Sequence, residues 1–335
     1  RLFARMNFLS RVAPLMPVVS AGVVMVLGVV LTYSAVTKLG SGTNLQKTES
    51  TLSGAKVFYL AEDENKFKQI FVAEVNIHNP QKLTNAEKGV TDFAISPDQS
   101  QIIYIEQTEG LDYVLWLMSL DGTKNQKMFS CNEANCSQPV WSPDGMRIIF
   151  EYMPLDVGTS SLWWLDAATG KAQAVFQEAR LPGTNPRWSP NGEWLSYAST
   201  DGIRLNNLTT GESRVISNML GAAAQWSPDG KMVLLRDVII RNNQFVTQLY
   251  LYDLETKSLT NPSPSENIEN ILAAWSPDGK QLAFTTRREG DEAAQVYVLP
   301  LDGGEAHRVT SATAGVGNPQ WRPDGKAILF ESDVE

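Results

Sequence analysis

The sequence predicts an all-β fold: a six-bladed β-propeller preceded by one transmembrane α-helix. Three observations predict it. A Ser-Pro-Asp-Gly-like tetrapeptide recurs six times at near-constant spacing, short β-like runs separate the copies, and 26 uncharged residues (12–37) precede the first repeat.

The copies are ISPDQ (95–99), WSPDG (141–145), WSPNG (188–192), WSPDG (226–230), WSPDG (275–279) and WRPDG (321–325). Their prolines, at 97, 143, 190, 228, 277 and 323, lie 46, 47, 38, 49 and 46 residues apart. A recurrence of that length marks an array of one supersecondary unit. The tetrapeptide itself has the chemistry of a turn. Pro fixes φ at the second position, Ser bonds back to the backbone, and Gly supplies the left-handed residue that closes a hairpin. A shared catalytic serine is excluded, because Arg322 replaces one copy and no histidine recurs with the period. Ser276 is expected to make one partly exposed hydrogen bond.

After each turn comes a β-branched or aromatic run: SQIIYIE, MRIIFEY, EWLSYAS, KMVLLRD, KQLAFTT and KAILFES. Several are apolar on both faces, as strands covered on both sides must be. A second set, YVLWLMSL (113–120), SLWWLD (161–166), IRLNNL (203–208), QLYLYDL (248–254) and QVYVLPL (295–301), ends in turns such as DGT and DAATG. Shorter runs such as SRVIS and HRVTS give a fourth strand. Four strands in about 45 residues, without helical periodicity, describe a propeller blade. The array begins and ends mid-repeat, so residues 55–84 and 318–332 are expected to share one blade and close the ring. KVFYLAED and AILFES both read as second strands, which makes one of them an extra edge strand.

The repeated W-S-P-D-G-k-x-i-x-F with its following I/V-Y-V strand resembles the TolB-type (PD40, WD40-like) propeller repeat over residues 55–335. The resemblance implies a six-bladed propeller and leaves the activity open, since one fold hosts unrelated functions.

Ahead of the repeats, residues 1–12 are read as a cytoplasmic segment, 13–37 as a transmembrane helix and 38–54 as a flexible linker. The uncharged stretch is long enough for a hydrocarbon core of about 30 Å. Arg1, Arg5 and Arg11 precede it and only Lys38 closely follows, so the positive-inside rule puts the propeller outside the cytoplasm. The same span resembles the last helix of multi-span nickel/cobalt exporters. That implies an alternative in which this chain is the tail of a longer transporter, although Met6 could equally be a true start.

Residues 1–38 hold four basic and no acidic side chains, which leaves 24 basic against 37 acidic in the remainder. Nucleic-acid grooves need clustered Lys and Arg, so nucleic acid is excluded as a partner. The acidic runs EDEN (62–65) and EGDE (289–292) are read as solvated loops. Cys131 and Cys136, in CNEANC, form a disulfide if the compartment is oxidising, and remain free thiols if the topology is inverted. A zinc site has little support, since His78 and His307 are the only histidines and both are distant in sequence.

The chain has no G-x-S-x-G, H-E-x-x-H or Walker motif, and no cofactor is expected. A propeller hydrolase would hold a metal at its central channel. Asp92, Gln138, Asn185 and Asn318 occupy equivalent channel-facing starts of the innermost strands, while Ala223 and Leu272 interrupt the ring. These four are candidates for a ligand or partner site; catalysis is not expected from them. Trp141, Trp188, Trp226, Trp275 and Trp321 share one repeat position and are expected to pack between blades. Trp163 and Trp164 are adjacent, so at most one of them can be a surface aromatic. The sequence therefore reads as a propeller anchored in the inner membrane, periplasmic or extracellular, binding a protein partner, with other membrane or envelope proteins the candidates by location.

Overall fold

Turn chemistry repeated at a fixed period should give repeated antiparallel sheets, and it does. A computed structural model describes residues 56–74, 80–110, 112–176, 181–241, 243–263 and 270–332. The expected cytoplasmic segment, transmembrane helix and linker lie outside the described residues, as does His78. Among the described residues no helix is long and apolar enough to cross a membrane.

The first sheet has three strands, β1 (Lys56–Glu62), β2 (Lys68–Glu74) and β3 (Gln81–Lys82). Five four-stranded antiparallel sheets follow, each in chain order. The second holds β4 (Val90–Ile95), β5 (Gln101–Gln107), β6 (Tyr113–Ser119) and β7 (Gln126–Cys131). The third holds β8 (Ala134–Trp141), β9 (Arg147–Pro154), β10 (Ser161–Asp166) and β11 (Ala172–Ala174). The fourth holds β12 (Thr184–Trp188), β13 (Trp194–Ser199), β14 (Gly202–Asn207) and β15 (Ser213–Ile216). The fifth holds β16 (Gln225–Trp226), β17 (Met232–Arg241), β18 (Gln244–Asp253) and β19 (Leu259–Thr260). The sixth holds β20 (Asn270–Trp275), β21 (Gln281–Thr286), β22 (Gln295–Pro300) and β23 (His307–Arg308). A last pair, β24 (Gly317–Trp321) and β25 (Ile328–Glu331), ends the array.

Every Ser-Pro-Asp-Gly turn joins a first strand to a second strand, so all of them lie at one end of their sheets. Each serine hydroxyl donates to the Asp or Asn two residues on: Ser96 to Asp98, Ser142 to Asp144, Ser189 to Asn191, Ser227 to Asp229 and Ser276 to Asp278. That bond is the largest pull holding the Asp98, Asp144, Asp229 and Asp278 carboxyls below their usual range. In the sixth copy Arg322 Nε donates to Asp324 instead, at 2.7 Å. The turn is made without a substrate.

Ser276 corrects one expectation. It is buried, and besides donating to Asp278 it accepts the Gln281 N–H at 2.9 Å. Its hydroxyl is therefore an internal part of the turn and not a partly exposed one.

Successive turns also touch. Gly279 has φ 70°, and a Cβ there would lie 3.4 Å from Pro228 Cδ of the preceding turn. Gly145, Gly192, Gly230 and Gly325 face Pro97, Pro143, Pro190 and Pro277 in the same way. The motif tryptophans tie the sheets together just behind these turns. Trp141, Trp275 and Trp321 donate Nε1–H to Ala94, Gln225 and Ala274 carbonyls of the preceding first strand. Trp226 reaches Ser196 Oγ, and Ser196 in turn donates to the Arg187 carbonyl. Apolar layers fill the space between sheets; one contains Ile103, Leu115, Trp141, Phe150 and Leu165 from the second and third. Trp163 packs 4.6 Å from Tyr152, and Arg147 stacks over Trp164. Neither stands out as a free surface aromatic.

Cys131 and Cys136 are bonded, and both are buried. The bond joins outer strand β7 to inner strand β8 of the next sheet. The ends of the array differ from expectation. No pairing joins β24–β25 to β1–β3 among the described residues. β1 and β25 are both second strands and run in the same sense, so they could adjoin only as a parallel pair within an antiparallel sheet.

Two predictions concern stability. Gly279→Val should lower it by about 1–3 kcal/mol, since a β-branched residue is strained at positive φ. Ser276→Ala should cost about 1 kcal/mol, because it removes the acceptor of the half-buried Gln281 N–H. Urea unfolding of both variants checks this, and an unchanged midpoint for either would refute the turn account. Removing the disulfide with Cys131→Ala and Cys136→Ala together should cost about 2 kcal/mol through loop-closure entropy. Reductant should then lower the midpoint of the parent protein and leave that of the double variant unmoved.

Candidate functional site

At the end of the sheets opposite the turns, the first strands are irregular. Their pairing register shifts between Val90 and Asp92, Ser137 and Val140, Thr184 and Arg187, and Gly317 and Gln320. Gln138, Asn185 and Asn318 sit inside these bulges with φ of 52°, 54° and 49°. Amide side chains tolerate that conformation better than most. A bulge also turns its own N–H out of the ladder, so the group needs another acceptor.

Neighbouring sheets provide it. Asp92 Oδ2 accepts the Gln138 N–H at 3.1 Å, and Glu151 Oε1 accepts the Asn185 N–H at 2.7 Å. The side chains continue the path: Gln138 Nε2 donates to Asn185 Oδ1 at 3.0 Å, and Asn185 Nδ2 donates to the Gly221 carbonyl at 3.0 Å. A polar belt thus runs from the second sheet across the third and fourth to the loop ahead of β16. Ser137 Oγ donates to Glu151 Oε2 at 3.2 Å.

Of the four candidate residues, Asp92, Gln138 and Asn185 are brought together. Asn318 is not in this path; its Nδ2 donates to Glu331 Oε1 in its own sheet. Ala223 lacks a polar side chain, and at Leu272 the backbone N–H goes to Thr285 Oγ1. Two residues of the belt escaped the sequence reading. Glu151 is a carboxylate inside the apolar run RIIFEYM, and Arg187 precedes Trp188 where other copies have Ala94, Val140, Gln225, Ala274 and Gln320. Arg187 is a visible exception to its repeat position, whereas Glu151 shares its position with Glu331 of the last strand pair.

Electrostatically the belt is a balanced cluster. Burial pushes the Asp92 and Glu151 carboxyls up, opposed by the bulge N–H groups and by the nearby Arg187 charge. Burial pulls Arg187 down while both carboxylates pull it up. Arg187 Nη1 donates to the Pro186 carbonyl at 2.7 Å. Among the described residues no three His, Cys, Asp or Glu side chains gather as a metal site. His307 lies exposed on outer strand β23, far from any nucleophile–base arrangement with the belt. The amides and carboxylates of the belt can orient and hydrogen-bond a ligand.

The acidic runs are occupied internally. Asp63 accepts the Asn65 and Phe67 N–H groups and lies 3.5 Å from Lys82 Nζ. Asp291 accepts from Arg308 Nη1 and the Tyr297 hydroxyl, both at 2.8 Å.

The chain belongs to the TolB β-propeller domain family, whose model matches residues 50–237 and again 164–335. An uncharacterized peptidase of Bacillus subtilis, YuxL, is 36% identical over 107 residues, 31% of this chain and 16% of that protein. The Tol-Pal system protein TolB of Francisella tularensis is 27% identical over 164 residues, 47% of this chain and 36% of that protein. The chain thus spans well under half the length of these curated relatives. An oligogalacturonate lyase solved in complex with manganese superposes with a TM-score of 0.64 at 18% identity, covering 84% of this chain and 83% of that one. That likeness is one of fold.

The raised carboxyl of Glu151 gives a pH prediction. A carboxyl whose folded value lies above its unfolded value favours the fold at low pH, and this contribution is lost as pH rises through the folded value. Glu151→Gln keeps an acceptor for the Asn185 N–H and cannot ionise. Relative to the parent, this variant should therefore gain stability between about pH 4.3, the ordinary Glu value, and neutrality. Urea midpoints across that range test the sign; a variant that gains stability only on acidification would contradict it.

Proposed function

We propose that this member of the TolB β-propeller domain family is a membrane-tethered binding module. Its belt-bearing end engages a protein partner outside the cytoplasm. The observation that carries the reading is the belt itself: a hydrogen-bonded set of Asp92, Gln138, Asn185 and Glu151 with the Arg187 charge nearby, at the end of the first strands opposite the turns. It offers orientation and charge without a catalytic pair beside it. The likeness to a Tol-Pal system protein supports a binding role. The Cys131–Cys136 bond supports an oxidising compartment, and the uncharged span with its preceding arginines supports the tether. Six blades belong to the same proposal, with the first and last sheets sharing the closing position and one of β1 and β25 as the extra edge strand.

A photo-reactive residue at Thr91, exposed beside Asp92 on β4, should yield a discrete protein adduct in intact cells. Protease added outside the inner membrane should digest the propeller. Protection until that membrane is lysed would overturn the location. Turnover of peptide or oligosaccharide substrates by the purified chain, abolished by chelator, would replace binding with catalysis.

A further inference from the structure

The fifth sheet departs from the others in one respect. Its second and third strands, β17 and β18, have ten residues each and stay in register from Met232↔Asp253 to Arg241↔Gln244. Counted from the residue that pairs with the motif position, β17 runs two to four residues further than β5, β9, β13 and β21. At about 3.3 Å per residue the hairpin projects roughly 7–13 Å past its neighbours. Its tip is apolar. Ile240 and Phe245 are cross-strand partners, 62% and 73% exposed.

A loop of the same sheet extends this patch. Asn218 Nδ2 donates to the Arg236 carbonyl at 2.8 Å, and the Met219 N–H donates to Asp237 Oδ1 at 2.7 Å. These bonds hold Met219 and Leu220 against the hairpin, 71% and 41% exposed. The next residue, Gly221, accepts from belt residue Asn185. The apolar prong is therefore continuous with the polar belt, at the same end of the sheets.

We propose that this prong is a docking surface for a protein partner that offers an apolar groove rimmed by basic side chains. The inference rests on the binding reading above and specifies its partner. Three observations choose the occupant. The connections at this end carry eleven acidic and four basic side chains among the described residues, so a basic rim is complementary. Four exposed side chains cannot alone supply the roughly 1,200 Å² of total burial that a stable interface needs, so a tip-to-tip dimer of this chain is too small. A partner that covers both prong and belt reaches that size. A lipid surface is disfavoured by chain direction. β1 is a second strand, so the chain leading into it from the tether enters at the turn end, opposite the prong.

The test places p-benzoylphenylalanine at Phe245, at Met219, or at Met146, in the full chain in intact cells. Met146 is 66% exposed and lies at the turn end, so it serves as the control. The expected result is one protein adduct, the same from 245 and 219 and absent from 146. Its yield should fall several-fold in a Glu289→Lys, Glu292→Lys background whose thermal melt is unchanged. An adduct of two copies of this chain, a lipid adduct, equal labelling from 146, no adduct, or indifference to the charge reversal would each overturn the proposal. If Thr91 captures a protein while 245 and 219 do not, the prong fails and the binding reading stands.

Discussion

The structure depends on one interaction repeated along much of the array: the indole N–H of Trp141, Trp226, Trp275 and Trp321 donated to the preceding sheet, a bond that Trp188, its Nε1 buried without a partner, does not make. A propeller sheet buries both faces against neighbours, so its angle to them must be set by something directional. Dispersion and hydrophobic burial are not directional. The bonds from Trp141, Trp275 and Trp321 to the carbonyls of Ala94, Gln225 and Ala274 are. Where Ser196 intervenes between Trp226 and Arg187, the hydroxyl relays the same link, so the geometry survives a change of atom. The Gly-on-Pro stacking of successive turns then needs no further explanation. Once the tryptophans fix the spacing, the turns are brought side by side, and a side chain larger than hydrogen at the glycine would meet the preceding proline.

That constraint at one end leaves the other end free to vary. The turn end directs its polar groups inward: the serine hydroxyls, the carboxylates and the glycine N–H groups find partners within the turn and its flanking residues. The opposite end carries the bulges, and a bulge by construction releases backbone groups from the ladder. Asp92 and Glu151 answer that need by accepting N–H groups from the next sheet. Both are buried enough to resist ionisation, and Arg187 offsets part of the cost. Stitching the sheets and presenting a polar surface are thus two consequences of the same bonds.

What could be read from the sequence was whatever repeats. The turns, the strand order, the inter-sheet tryptophans and the equivalence of Asp92, Gln138, Asn185 and Asn318 all follow from the period. Position within the repeat says nothing about which equivalent residues meet. Asn318 has the same rank as Asn185, but it faces Glu331 of its own sheet, because the path is broken at Ala223 and Leu272. Arg187 was missed as an exception that periodic reasoning averages away, and Glu151, which shares its repeat position with Glu331, because a lone carboxylate inside RIIFEYM reads as part of an apolar strand. Which strands close the ring could not be read from the period, because β1 and β25 hold the same rank in it. The length of β17 and β18 was hidden because neither MVLLRDVIIR nor QFVTQLYLYD carries a Gly or Pro to mark where the strand outruns its neighbours.

That last feature carries the functional argument. Among the described residues Ile240 and Phe245 form a cross-strand apolar pair, 62% and 73% exposed, just below a polar turn on a projecting hairpin. Polar residues suffice to solvate such a projection, so an exposed apolar pair on it has to be accounted for by something other than folding. Ile240 and Phe245 bury little against their own sheet, and truncating them would leave the inter-sheet tryptophans and the turn ring untouched. Their loop neighbour Gly221 is nonetheless bonded into the belt. A side-chain pair that contributes little to the fold, on a hairpin bonded to a loop that also reaches the polar belt, is what the proposed docking surface would use.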